Sequence, residues 1–575
     1  MALNFVNQFG DWNPQVFREL KGRLKPRNVL ITVAISLVGQ LLLLMSFASQ
    51  LPVNDNIGGD ISTKYNRYCT GPSQEYSSPS CILDGFGGFK INWQLWWQDV
   101  FIWLSIIGIF VLLVVGTYML ISDLSKEESR GTLNFLRLTP QSSQSILGGK
   151  LLGVPVLLYL AGILAFPLHL WSSFAGNIPL GEMLCFYCVL ATSCLCFYSM
   201  ALLFGLVGKR LSGFQPWLGS GTVLMFLIIM TNVLQYDGYS NYPTDWLMLF
   251  HPGILLPYLI DANSLDPANL YHRGNYLGGL LWFNLPIGAK FLSLAGLTVL
   301  NYGLWSYWAW QGLKRCFHNP TANLFSKRQS YLLTACFEVM ILGFALNPNT
   351  SAWTSYTKGL FENLQMLLVF NLVLFLGLIA ALSPHRQALQ DWARYRHQHH
   401  SSRKKGLLGD WLWGEKSPAL VAIAINLAIA SVILLPWILF WPTSEYKIPA
   451  LWAILFNMSF LLLCATVAQL MLLMKAQKRA IWAASTVGGF IILPPIILGF
   501  LSMYPDKTPA LWLLSAFPWA SVEHTAGISV GFALIAQSLT LVLLNIQLTR
   551  RLQKAGESAT KALLSAKSPL TTSIN

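Results

Sequence analysis

Long apolar runs alternate with short polar segments from one end of the chain to the other. The runs are about 18–25 residues long, the length of a helix that crosses a bilayer core of about 30 Å. They do not alternate residue by residue, as the strands of a membrane barrel would. Twelve runs read as spans, at 28–50, 97–121, 151–171, 183–207, 217–234, 285–310, 331–346, 364–382, 419–441, 451–474, 481–503 and 525–548. The seventh is the shortest. Inside lipid every backbone polar group must be satisfied within its own segment, so the pattern predicts an all-α polytopic membrane protein.

Composition agrees. Of 575 residues, 54% are hydrophobic and 11% charged, with a mean hydropathy of +0.51. Soluble domains carry about 25% charged residues. The net charge of +14 is first a topology signal, because short loops rich in Lys and Arg stay on the cytoplasmic side. With the N-terminus inside and strict alternation, 30 of the 38 basic residues fall on inner segments. The other eight are Lys64, Arg67, Lys90, Arg273, Lys290, Lys358, Lys447 and Lys507. This split predicts an even span count and two cytoplasmic termini. The small residues at Ser46-Phe47-Ala48 resemble a cleavage site, but the preceding run is longer than a signal-peptide core, which favours an uncleaved anchor.

The expected organisation is an interfacial helix at 1–27, a first six-span module at 28–310, an inner linker at 311–330, a second six-span module at 331–548 and a basic inner tail at 549–575. Within the first segment, Asn13 suits a helix N-cap and Pro14 the first helical position, with Pro26 as the stop. Val16, Phe17, Leu20 and Leu24 share one face, so this helix should lie on the membrane surface. A weak duplication relates the two modules. Asn13-Pro14 precedes the first span and Asn319-Pro320 the seventh, and W-L-x-x-x-x-P occurs at Trp246–Pro252 and Trp512–Pro518.

Candidate chemistry is sparse. Cys185, Cys188, Cys194 and Cys196 have metal-like spacing, but lie in an apolar run with no His near them and read as packing residues. Cys69 and Cys81 share the first outer loop, 51–98, and form a candidate disulfide. His397, His399 and His400 lie in the basic inner loop 383–418, which reads as solvated. Glu338 is the one acidic residue well inside a span. Asn301, Asn371, Asn426 and Asn457 are mid-span and suit interhelical hydrogen bonds. No G-x-x-x-x-G-K-[ST] loop occurs, since Gly149-Lys150 is followed by Leu151. The chain itself is therefore not expected to bind ATP or any other cofactor.

The most informative segment is 122–150, on the inner side. Ser125 and Glu128 have capping-box spacing. Leu133 and Leu136 make a small apolar face beside Glu127, Glu128 and Arg130, Thr139-Pro140 stops the helix, and Ser142 or Ser143 can cap the next one. A short helix pinned between two spans suits a contact with a cytoplasmic partner.

The pattern E-E-x-R-G-T-L-x-x-L-x-L-T-P-x-S-x-x-x-I-x-x-G-K, with N-P-x-x-x-R-E-L upstream, resembles the type-2 (export-class) ABC transporter permeases. The likeness is most specific at 13–23 and 127–150. It implies a permease subunit of an ATP-driven exporter, working with a separate ATP-binding cassette subunit that holds ATP and Mg. It implies ATPase-coupling roles for Glu127, Glu128, Arg130, Gly131, Thr132, Leu133, Leu136, Thr139 and Pro140. Leu133 and Leu136 would fill a cleft in the partner, and Gly131 would allow close approach. It also implies re-entrant helices around 246–260, a homodimer or a pseudo-symmetric single chain, and a bacterial cytoplasmic membrane. No copy of the motif appears in the second half.

Two rival readings are an ion-coupled secondary transporter built around Glu338 and a polytopic membrane glycosyltransferase. The second would use Asp55, Asp60 or Asp84, but these have no paired-carboxylate spacing and resemble turn residues. Nothing points to nucleic acid.

Overall fold

The computed structural model describes residues 12–53, 65–72, 78–84, 88–208, 213–237, 240–259, 277–348, 355–398, 407–442 and 444–556. Helices dominate. Among the described residues the paired strands are β1 (Leu281–Trp282) and β2 (Leu285–Pro286), antiparallel, with Leu281 opposite Pro286.

The chain divides into two compact units. Unit 1 is Met1–Ser240 with Thr244–Pro320, and unit 2 is Asn241–Pro243 with Thr321–Asn575. Unit 1 contains α1 (Pro14–Arg23), α2 (Pro26–Ala48), α3 (Trp93–Ser129), α4 (Thr132–Leu138), α5 (Ser143–Gly153), α6 (Val156–Ala175), α7 (Leu180–Val207), α8 (Gln215–Asn232) and α9 (Phe291–His318). Unit 2 contains α10 (Lys327–Ala345), α11 (Tyr356–Leu382), α12 (Arg386–Gln398), α13 (Leu407–Trp413), α14 (Leu420–Leu439), α15 (Lys447–Leu472), α16 (Arg479–Phe500), α17 (Pro509–Trp512) and α18 (Gly527–Gly556).

Ten of the described helices are long and apolar enough to cross a membrane: α2, α3, α6, α7, α8, α11, α14, α15, α16 and α18. At the expected sixth and seventh spans the chain forms α9 and α10, long helices that are less uniformly apolar. The linker expected at 311–330 is much shorter. Helix α9 continues to His318 and α10 begins at Lys327, where Ser326 and Gln329 close a capping box. Asn319 closes α9, so Asn319-Pro320 does not begin a surface helix as Asn13-Pro14 does.

The lipid-facing surface is visible in the side chains. Leu30, Ile35, Leu41, Leu42 and Met45 of α2 are exposed, as are Ile492, Leu493, Ile497 and Phe500 of α16. Apolar faces of this extent on helices of membrane-spanning length fit a hydrocarbon surrounding. Prolines sit inside α6 (Pro167), α14 (Pro436) and α16 (Pro494, Pro495), as membrane helices tolerate. In unit 1, α7 packs along α3 and α9, and α2 along α6. In unit 2, α15 is central, contacting α11, α14, α16 and α18.

The first long loop is an ordered excursion. Cys69 and Cys81 are joined by a disulfide, with Cα atoms 4.8 Å apart. Beside it, Arg67 pairs with Asp99 at 2.6 Å and the Tyr68 hydroxyl donates to Asp99 at 2.9 Å, tying the loop to α3. Asp84 accepts from Gly88 N at 2.7 Å, a local turn. Asp55 and Asp60 lie outside the described residues. So do His399 and His400, while the basic loop 383–418 is largely helical, as α12 and α13.

The two W-L-x-x-x-x-P segments have parallel local structure. Each Trp lies in a short helix, Pro243–Phe250 (3₁₀) or α17, and each Pro opens a 3₁₀ helix, Pro252–Tyr258 or Pro518–Ala520. The segment expected to be re-entrant therefore consists of two consecutive 3₁₀ helices. The second packs on α3, α7 and α9.

Candidate functional site

The site is built where the two informative sequence segments meet, at the end of unit 1 that carries α1, α4 and α5. Asn13 caps α1 through its side-chain oxygen, which accepts from Gln15 N at 2.9 Å and Val16 N at 3.3 Å. Its amide nitrogen donates to Ser145 O at 2.8 Å, so one residue starts α1 and fastens it to α5.

Helix α1 then lies on α5 at close range because α5 presents glycine. A Cβ on Gly149 would come within 2.7 Å of Gln15 Cβ, and one on Gly153 within 2.5 Å of Glu19 Cβ. The buried face of α1 is Asn13, Gln15, Val16 and Glu19. The apolar stripe read from sequence is only partly used, since Phe17, Leu20 and Leu24 stay half-buried. The polar face turns inward because its partner is a buried charge.

That charge is Lys150, which is 0% exposed. Its Nζ lies 2.6 Å from Asp123 Oδ2, 2.8 Å from Glu127 Oε2 and 3.5 Å from Glu19 Oε1. Arg23 bridges Glu19 at 3.2 Å and Asp123 at 2.6 Å, and Arg18 reaches Glu127 at 3.0 Å. Three carboxylates thus face three cations, drawn from α1, α3 and α5. Burial alone would lower the lysine pKa, but Asp123, Glu127 and Glu19 outweigh it, and the net direction is upward. The three carboxylates lie close enough together to hold a metal ion. The ammonium of Lys150 already sits among them, so a lysine performs the neutralisation a cation would.

Helix α3 runs unbroken past Ser125 to Ser129, so the Ser125–Glu128 capping box does not form. The chain reverses at Gly131, whose φ of +72° is left-handed, the backbone region glycine enters without steric cost. Gly131 thus serves the turn. Helix α4 follows, with Thr132 Oγ1 donating to Glu127 O at 3.2 Å and Thr139 Oγ1 to Leu136 O at 2.7 Å. Pro140 is exposed beyond it, and Ser142 caps α5 by accepting from Ser145 N at 3.1 Å.

The apolar face at Leu133 and Leu136 points inward. The two are 1% and 7% exposed and pack with Leu120, Leu124, Ile146, Leu147, Leu313 and Phe317. The outward side chains are Phe135, 72% exposed, and Leu138, 85% exposed, flanked by exposed Lys126, Arg130 and Asn134. Arg137 secures the helix from the side. Its Nε donates to Phe317 O at 2.7 Å, and it approaches Glu128 at 3.8 Å.

Of the residues singled out from sequence, Arg130, Gly131, Thr132 and Pro140 are exposed, Glu128 and Thr139 half-buried, and Glu127, Leu133 and Leu136 buried. The sequence reading missed Glu19, Asp123, Lys150, Gly153, Phe135 and Leu138 as members of the site. Asp123 and Glu127 are four apart on one helix, and Lys150 is a lone cation in an apolar run, signals that together point to an internal clasp.

Elsewhere, Glu338 is buried in unit 2. Asn301 Oδ1 accepts from Trp246 and Trp305, and Asn426 bridges Ser330 and Thr334. Cys185, Cys188, Cys194 and Cys196 are free thiols. The chain matches no protein-family model, and no curated protein or solved structure is significantly similar to it.

Proposed function

We propose that the chain is the permease subunit of an ATP-driven export system, a type-2 ABC permease, with ATP and Mg held by a separate ATPase subunit on the cytoplasmic side. The observation that carries the reading is α4, a two-turn helix with a bare apolar face at Phe135 and Leu138, fixed at its base by the Lys150 clasp. Such a helix is suited to transmit force. A push on Phe135 or Leu138 passes through Leu133 and Leu136 into α3 and α9, and through the clasp into α1 and α5, since packed interiors move as bodies. The half-buried stripe Phe17, Leu20 and Leu24 would rest at the inner membrane surface. Six long helices per unit support a pseudo-symmetric chain or a dimer of such chains.

In this reading the docking contacts are Phe135 and Leu138, with Lys126 and Arg130 at the rim, and Leu133 and Leu136 support them from behind. The test is affinity purification in mild detergent with mass spectrometry of partners, on wild type and on Phe135→Asp/Leu138→Asp. An ATP-binding subunit present with wild type and lost with the double variant is the expected result. No ATPase with wild type would sink the reading and favour an ion-coupled transporter. An ATPase retained by the variant would refute the contact site.

A further inference from the structure

Glu338 lies on α10 at 0% exposure. Its Oε2 accepts one long hydrogen bond, 3.4 Å, from Asn371 Nδ2 on α11. Its Oε1 is buried with no hydrogen-bond partner, and so is Asn371 Oδ1. Two orphan acceptors therefore occur on two side chains that already touch. No ion pair to Glu338 exists among the described residues.

A buried carboxylate with one neutral donor and no cation is costly. Among the described residues, the helices packed against α10 supply no countercharge there. Helix α14 has no titratable residue. Helix α11 has Tyr356, Lys358 and Glu362, all near its start, with Lys358 about 20 Å along the axis from Asn371. Helix α13 contributes Asp410, and α10 itself carries Lys327, Arg328, Tyr331 and Cys336. Lys327 lies roughly 16 Å before Glu338 along the helix and is held by Ser417 Oγ at 2.6 Å and Trp411 O at 2.7 Å.

We propose that Glu338 is a proton-binding site: at neutral pH it is a carboxylic acid whose Oε1 proton is donated to Asn371 Oδ1. One proton then accounts for both orphans, making a reciprocal acid–amide pair in which Asn371 Nδ2 donates to Oε2. If the amide is turned over, its oxygen faces the carboxyl and a proton is still required between them. A metal cation fits less well, because hard ions need about six oxygen ligands and the orphan acceptors here are two.

The site ends a buried polar line along one face of α10. Ser330, Thr334 and Glu338 succeed one another at helical spacing, all fully buried. Asn426 of α14 accepts from Thr334 at 2.9 Å and donates to Ser330 at 3.0 Å. These hydroxyls lie between the acid and the α10 start on the same face, and their hydrogen bonds go to Asn426 and Lys327 O, not to Glu338. Loss of the proton would leave a bare, desolvated charge between α10 and α11 and weaken their packing.

The test uses the full chain in lipid nanodiscs. Infrared spectroscopy at neutral pH should show a protonated carboxyl carbonyl band that shifts in heavy water, is missing from Glu338→Gln and moves in Asn371→Leu. Dicyclohexylcarbodiimide, an apolar reagent for protonated carboxyls, should label Glu338 at neutral pH and about tenfold more slowly per pH unit once the acid titrates. Glu338→Gln mimics the neutral acid and should keep the wild-type melting temperature, so loss of the band does not reflect misfolding. Absence of both band and label in wild type at neutral pH would overturn the proposal. So would sodium blocking the label at constant pH, which would identify a cation site.

Discussion

Lys150 Nζ lies 2.6 Å from Asp123 Oδ2 across twenty-seven residues of chain. The pair closes the base of the segment that carries α4, because Asp123 is in α3 and Lys150 in α5. With Glu127 and Glu19 as further partners, the lysine joins three helices at one atom. Its worth lies in positioning as much as in stability. A buried ion group can be replaced by apolar residues at little cost if all partners are replaced together, whereas removal of one partner leaves uncompensated charge.

Lys150→Met should therefore destabilise the protein by about 3–5 kcal/mol, because three carboxylates remain with only Arg18 and Arg23 to oppose them. Arg18→Ala should cost no more than about 1 kcal/mol, since that side chain is half in water. Thermal unfolding in detergent would rank the two, and equal losses would contradict the clasp.

The pH dependence of the clasp has a definite sign. The folded pKa of Lys150 is raised above its ordinary value. Its contribution is then fully present below the unfolded lysine pKa of about 10.4 and is lost as pH rises through the folded value. The melting-temperature gap between wild type and Lys150→Met should stay constant from neutral pH to about 10 and close above that. A gap that closes as pH rises from 7 to 9 would show that the lysine is not held charged.

Gly153 sets how closely α1 approaches α5. A Cβ there would meet Glu19 Cβ at 2.5 Å, backed by the α1 chain, so Gly153→Val must push α1 outward. The expected cost is about 1–3 kcal/mol, as for an overpacked contact. A disulfide engineered between α1 and α5 should form readily in wild type and poorly in Gly153→Val. Equal yields would refute the close-approach role.

How much of this was legible follows from what each signal measures. Periodicity and run length gave the helices, because lipid burial imposes a minimum length on every span. Asn13-Pro14 read correctly as a helix start, since a cap is a local interaction within three residues. The inward side of α4 was not legible. A seven-residue helix with Leu133, Phe135, Leu136 and Leu138 presents apolar groups on two sides, and only tertiary packing decides which side is buried. The clasp was missed for a related reason. Its carboxylates come from two segments more than a hundred residues apart, and one sequence does not record which distant charges meet. The sixth and seventh expected spans coincide with α9 and α10, where Asn301, Tyr302, Trp305, Trp308 and Glu338 are buried against protein, so length and hydropathy alone pick out ten helices and not twelve among the described residues.

Gly131 tests whether the reversal between α3 and α4 needs glycine. Its φ is +72° and no heavy atom lies within 4 Å of a Cβ built there. Gly131→Ala should then cost about 1–2 kcal/mol through backbone strain alone. Gly131→Asn, which tolerates the left-handed region better, should recover part of this. If unfolding measurements show no difference among the three, the turn is not what selects glycine.

The two apolar sides of α4 should separate stability from partner binding. Leu133→Ala removes a side chain packed against Leu120, Ile146 and Phe317 and should destabilise the protein by about 2–5 kcal/mol. Leu138→Ala removes one that is 85% exposed and should change stability by less than about 0.5 kcal/mol. Under the permease reading the order reverses for association, because exposed apolar anchors dominate contact energy. Phe135→Ala and Leu138→Ala should each weaken capture of the ATPase, about tenfold or more, while Leu133→Ala should weaken it only where α4 itself melts. Melting curves and pull-down yields on the same three variants would show this crossing pattern. If both properties fell together in all three, α4 would be a structural plug and not a docking element.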